Sequence, residues 1–128
     1  MTTAETDAPS VFADARRMHD AALQQMAAGD IRDAAEKARC ATKRATDALV
    51  LARTGEEPHR STDTGSRLRE IARLEPAARS LRARYYERQG TLHGECFYIG
   101  LCEPVEDTEL LIRETTDYIE DARRLARV

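Results

Sequence analysis

The sequence predicts an all-α fold, an antiparallel up-and-down bundle of four or five helices, and three observations carry that reading. The 128-residue chain has no Trp and only 5% aromatic residues, while Ala, Leu, Arg and Glu, which lose little side-chain freedom in a helix, dominate it. Apolar residues recur every three or four positions instead of every two. Glycines and prolines fall between these periodic stretches, where helices stop.

The length suits one compact domain with a single core. Residues 1–9, rich in Thr, Ala, Asp and Glu with Pro9 at their end, read as a disordered lead, so the domain spans 10–128. From Ser10, the positions Phe12, Ala15, Met18, Ala22, Leu23 and Met26 give a first helix one core-facing side, and Gly29 ends it. Asp30 caps a second helix whose seam of Ile31, Ala34, Ala35, Ala38, Thr42, Ala45, Leu49 and Ala52 is mostly alanine. Small side chains there let helices approach closely.

Gly55 and Pro58 stop the second helix, and residues 56–65 read as a polar loop. A third helical stretch starts near Ser66, with Leu68, Ile71, Leu74, Ala78, Leu81 and Tyr85 on one face. Pro76 should kink or divide it, because proline lacks an amide donor and crowds the preceding turn. Gly90 is expected to end the stretch as a left-handed cap. Thr91 would then cap a short fourth helix through Leu101, closed by Gly100 and Pro104. A last helix from Glu106 and Asp107 carries Leu111, Thr115, Tyr118, Ile119, Ala122 and Leu125, with acids at its start and arginines at its end, as the helix dipole favours.

The formal net charge of −3 argues against a general polyanion binder, since nonspecific nucleic-acid affinity comes from phosphate neutralisation by Lys and Arg. Charge is nonetheless segregated. Arg67 to Arg88 contains seven arginines and three glutamates, whereas Glu95 to Asp121 is acidic with Arg113 as its one arginine. Such asymmetry steers a ligand or pairs two subunits, and two solvated helix faces look the same.

Cys40, Cys96 and Cys102 cannot all pair within the chain, and reduced thiols in a cytoplasmic protein are the simplest expectation. No apolar run approaches the roughly 20 residues of a membrane helix, so no membrane association is expected.

Chemistry concentrates in residues 84–98. His93, Arg88, Arg84, three tyrosines, Glu95 and two glycines fall there within one short run. On an uninterrupted α-helix Arg88 and His93 would lie about 140° and ~7.5 Å apart, unable to converge on one atom. A break at Gly90 would instead turn both toward one pocket and seat His93 among the free amides of a helix N-terminus, a phosphate site. The helix dipole there would help keep His93 neutral as a general base toward a 2′-hydroxyl, with Arg88 clamping the scissile phosphate. The plain alternative is a half-exposed histidine and a surface arginine in a turn.

The segment Arg88-Gln89-Gly90-Thr91-Leu92-His93 resembles the Arg-x4-6-His motif of HEPN-domain ribonucleases, a helical-bundle family. The run 33–38, then 48–52 and 55–59, is similar to that family's second helix and following loop, and the resemblance covers nearly all the chain after residue 10. Arg53 to His59 also fits the motif, but the later match falls where the family places its site. Gln89 stands where Asn, Asp or His is commoner, and Glu95 where some toxin members carry Tyr.

The resemblance implies a homodimer whose paired motifs form one composite groove for single-stranded RNA. It implies a metal-independent endoribonuclease of toxin or defence type, without cofactor, often beside a nucleotidyltransferase-type partner. It equally admits a member that has lost catalysis and binds a protein partner or a nucleotide. Supporting residues on this reading are Gln89, Thr91, Glu95, Tyr98, Arg84 and Glu36, the last orienting His93 or Arg88 from across the bundle. A metal site built on His93 and Cys96 would need further ligands from Cys40, Cys102 or an acid elsewhere.

Overall fold

The computed structural model describes residues 7–128, and every regular element among them is helical. The helices are α1 (Ala8–Ala27), α2 (Ile31–Thr54), α3 (Ser61–Leu74), α4 (Arg79–Arg88), α5 (Val105–Arg113) and α6 (Thr115–Ala126). A 3-10 turn, Pro76–Ala78, precedes α4, and a π-helical segment, Gln89–Tyr98, continues directly from it. None of these helices is long and apolar enough to cross a membrane.

Local chemistry sets most boundaries. Residues 1–6 lie outside the described residues, but α1 already begins at Ala8, because the Asp7 carboxylate accepts the Ser10 amide at 2.8 Å and caps it. Asp30 caps α2 in the same way through the Asp33 amide at 3.1 Å. Gly55, at φ +83°, ends α2 in the left-handed region that glycine adopts without steric cost. The polar loop is shorter than expected: helix resumes at Ser61, so only 55–60 connect α2 to α3. Pro76 divides the third stretch, and Leu74, expected on the core face, is 75% exposed because α3 stops there.

The C-terminal third departs further from expectation. Gly90 is helical and ends nothing; the positive-φ glycine that terminates this stretch is Gly100, at φ +78°. Thr91 therefore lies inside the π segment and caps no helix. The last helix is two, divided at Glu114.

Helix α2 is the centre. It packs against every other α-helix and against the π segment, and from Ala45 to Val50 six successive residues are buried. The three-residue link from α1 makes those two helices antiparallel neighbours. The alanine seam at Ala34, Ala35, Ala38 and Ala45 is fully buried, which lets flanking backbones come close.

The core has two apolar parts. One gathers Val11, Phe12, Leu49, Leu68, Tyr85 and Ile119. The other gathers Ala22, Ala35, Leu92, Cys96 and Ile112. Between them, along each contributing helix, lies a polar position: His19 on α1, Thr42 on α2, Arg88 at the end of α4 and Thr115 at the start of α6, all buried.

Arg88 organises this layer. It is 2% exposed, its Nε donates to Thr42 Oγ1 at 2.8 Å, and a terminal nitrogen donates to Thr115 Oγ1. Its guanidinium lies 5.9 Å from the centre of the Tyr118 ring, whose hydroxyl pairs with Thr46 Oγ1 at 2.6 Å. Burial pushes the Arg88 guanidinium down to about 10, with Tyr118 and Glu114 acting the other way. His19 Nε2 donates to the Ile112 carbonyl at 3.0 Å, since a carbonyl only accepts.

Two expectations follow for stability. Arg88→Ala removes packing and leaves two hydroxyls without their donor, costing about 2–4 kcal/mol in urea unfolding. Arg88→Met keeps the volume and should cost clearly less; equal losses would mean that volume is irrelevant there. Burial chiefly holds the His19 imidazole below its ordinary value of 6.5, with Arg88 and Arg16 adding to it against the Ile112 bond and Asp20. Between the folded value and 6.5 the unfolded chain binds a proton that the folded chain does not, so stability falls as pH drops through that window. In urea midpoints measured from pH 7.5 down to 5, His19→Met should show a smaller loss than wild type; parallel curves would refute this assignment.

Candidate functional site

The site candidate with open chemistry is His93, and α2 supplies its partner. Glu36, Arg39 and Cys40 lie on neighbouring turns of α2, and the π segment packs against that helix. His93 Nδ1 lies 2.8 Å from Glu36 Oε1, a residue 57 positions earlier in the chain. The other Glu36 oxygen accepts from Arg39 at 2.5 Å. Glu36 thus bridges a guanidinium and an imidazole.

Burial raises the Glu36 carboxyl, but hydrogen bonds and charge from Arg39 and His93 outweigh it and hold the group below the usual range. An ionised carboxylate only accepts, so Nδ1 is the donor to it, and in the neutral ring the lone pair then lies on Nε2. The His93 side chain is 41% exposed. The histidine is therefore oriented from behind and reachable from solvent, as a general base must be.

Two rings flank it. Phe97 stacks on the imidazole with centroids 6.0 Å apart, and Tyr98 lies 6.4 Å away at a 33° tilt. Tyr98 is 75% exposed. Arg32, an exposed α2 residue, donates to the carbonyls of Phe97 and Tyr98 at 2.6–3.2 Å and ties the end of the π segment to α2.

The structure does not bring Arg88 and His93 to one pocket. The chain runs from 88 through 93 without a break, the Arg88 guanidinium is spent on Thr42 and Thr115 inside the bundle, and His93 sits in mid-segment, not at a helix N-terminus. The physical reason is that burying Leu92 and Cys96 on the side of Arg88 stabilises continued helix more than Gly90 destabilises it.

The remaining candidates scatter. Arg84 pairs with Asp121 at 2.9 Å and lies over the Tyr118 ring. Gln89 has its Oε1 buried without a hydrogen-bond partner. Thr91 is half-buried, and Glu95 is exposed and makes no hydrogen bond to His93. In the alternative motif, Arg53 binds Glu75 and the Leu125 carbonyl. Tyr85 is core, and burial pushes its phenol up to about 12.

The cysteines correct another expectation. Cys96 and Cys102 form a disulfide, with Cα atoms 4.3 Å apart, because the turn at Gly100 brings the chain back on itself. A count of three cysteines gave no view of that turn. Cys40 is free and half-buried, and burial raises its thiol. With its sulfur in the disulfide, Cys96 offers no thiolate beside His93, and among the described residues no three of His, Cys, Asp and Glu are grouped to hold a metal ion.

Sequence reasoning overlooked Arg39, Phe97, Arg32 and His19. A signal existed for two of them: Arg39 stands three residues after Glu36, the spacing of a helix ion pair, and His19 fits the Ala15, Ala22 spacing as well as Met18 does. Compared with known proteins, the chain matches no family model, no curated protein and no solved structure.

The Glu36–His93 pair can be tested directly. Nitrogen NMR of the imidazole near neutral pH should show the Nδ1–H tautomer in wild type, and Glu36→Gln should lose that bias. A ring populating mainly Nε2–H in wild type would remove the orienting role.

Proposed function

We propose that the protein is a HEPN-like, metal-independent endoribonuclease that cuts single-stranded RNA as a homodimer. The single observation supporting this most is the Glu36–His93 pair at 2.8 Å on an accessible surface. His93 Nε2 takes the proton of a 2′-hydroxyl, and that oxygen attacks the adjacent phosphorus. The P–O5′ bond breaks, leaving a cyclic phosphate, and the departing oxygen takes a proton from an acid, which in a composite groove is the second copy's imidazolium. Exposed Tyr98 offers a stacking face for an unpaired base, worth roughly 1–3 kcal/mol where it is used.

On this reading Arg88 is a positioning residue of the polar layer, and the cation that stabilises the phosphate comes from the α2 surface or from the second copy. Toxin or defence roles and a nucleotidyltransferase-type partner belong to the same proposal through the sequence resemblance; a cytoplasmic setting is proposed with them on the sequence reading alone.

A second reading has its own support. The buried Arg88 and the exposed Tyr98, Ile99, Leu101 and Leu110 fit a non-catalytic helical module that binds a protein partner. An RNA assay separates the two. With chelator present, purified protein should cut a single-stranded RNA pool, His93→Ala should lower the rate by roughly 10²-fold or more, and Glu36→Gln by roughly tenfold or more. Intact RNA from a folded, dimeric sample would favour the partner-binding module, and cleavage that survives His93→Ala would exclude His93 as the base.

A further inference from the structure

Away from His93, the turn at Pro76 creates a second constellation. Helices α3 and α4 meet around a cleft of about 550 Å³ lined by Arg69, Ala72, Arg73, Arg79 and Arg82. Positions 69, 72 and 73 share one face of α3, and 79 and 82 share one face of α4, by the three-and-four spacing of a helix. Four arginines therefore line one cleft with an alanine between them.

Among the described residues no carboxylate lines that cleft. Glu75, the acid nearest in sequence to the turn, is taken by Arg53 at 2.5 Å. The neighbouring cleft of about 580 Å³ is different, since it mixes Arg53, Arg67 and Arg127 with Glu70 and Glu75. Among the described residues none of Arg69, Arg73, Arg79 and Arg82 has an ion pair, whereas arginines elsewhere, such as Arg16, Arg44, Arg53 and Arg84, are paired.

Arg82 adds an independent observation. Its Nε is buried and has no hydrogen-bond partner, and its guanidinium is held over the Tyr86 ring with the carbon 5.3 Å from the centroid. Guanidinium groups bind phosphate oxygens by paired, planar hydrogen bonds, and several at once favour adjacent phosphates.

We propose that this arginine cleft binds a compact polyphosphate, two or three contiguous phosphate groups such as a nucleoside di- or triphosphate carries. Four arginines lining one cleft match the closely spaced charges of contiguous phosphates better than the single charge per nucleotide of a strand. The site lies about 11 residues before His93 on a continuous helix, roughly 15 Å along the axis, so it is separate from the proposed base and does not rest on the ribonuclease reading.

Inorganic tripolyphosphate is the first probe, titrated calorimetrically into the full chain, with ATP, inorganic sulfate and a single-stranded DNA 12-mer in parallel. The DNA lacks the 2′-hydroxyl and cannot be cut by the chemistry above. Tripolyphosphate and ATP should bind saturably at one per chain, at least tenfold more tightly than sulfate, and weaken as salt rises. The exposed double variant Arg73→Ser/Arg79→Ser should weaken both at least tenfold while keeping its helical circular dichroism. Arg17→Ser, on α1, should change neither. Unchanged affinity in the double variant, an equal loss in Arg17→Ser, or no saturable binding would overturn the assignment. So would DNA binding more tightly than tripolyphosphate and being lost in the same double variant, since the cleft would then serve a polynucleotide backbone.

Discussion

A guanidinium held in the middle of a helical bundle constrains the whole molecule. Arg88 is removed from water without a carboxylate partner, and its compensation comes from the Thr42 and Thr115 hydroxyls and the Tyr118 ring. Desolvating such an ion costs several kcal/mol, while charged hydrogen bonds return about 1.5–3 kcal/mol each and the ring contact about 0.5–2. These terms nearly cancel. What the layer contributes is register: α1, α2, α4 and α6 must place His19, Thr42, Arg88 and Thr115 at one level, which leaves an apolar cluster on either side.

That register also fixes the surface. With Arg88 locked inward and Leu92 and Cys96 buried beyond it, the π segment continues along α2, and His93 comes to rest on Glu36. Arg39 holds the carboxylate from the far side, and Arg32 secures the segment's end through the Phe97 and Tyr98 carbonyls. An imidazole, a carboxylate and two aromatic faces are thereby assembled from helices far apart in sequence. The Cys96–Cys102 bond closes the turn that follows. The same inward arginine that removes one expected phosphate clamp is what positions the histidine.

How much could be read beforehand depends on the range of each interaction. The helical class, the caps at Asp30 and Gly55, the division at Pro76 and the alanine seam of α2 are set within a turn or two, and they were legible. Gly90 was misleading for a definite reason. Its intrinsic preference for ending a helix, about 1 kcal/mol against alanine, is smaller than the burial of Leu92 and Cys96 that continued helix secures, at about 1.5–3 kcal/mol for a leucine alone. Glu36 was legible as a candidate partner, but its choice of His93 over Arg88 was not.

The sequence by itself determined the helical class, the helix ends at Asp30, Gly55 and Pro76, the segregation of arginines from acids, and the short list holding Arg88, His93 and Glu36, because side-chain type and spacing act locally. Tertiary structure alone decided that Arg88 turns inward, that His93 meets Glu36, that Cys96 joins Cys102 and that four arginines share a cleft without an acid. Each of those outcomes is a contact between segments whose separation the turns at Pro76 and Gly100 and the central position of α2 abolish, and no local rule measures that distance.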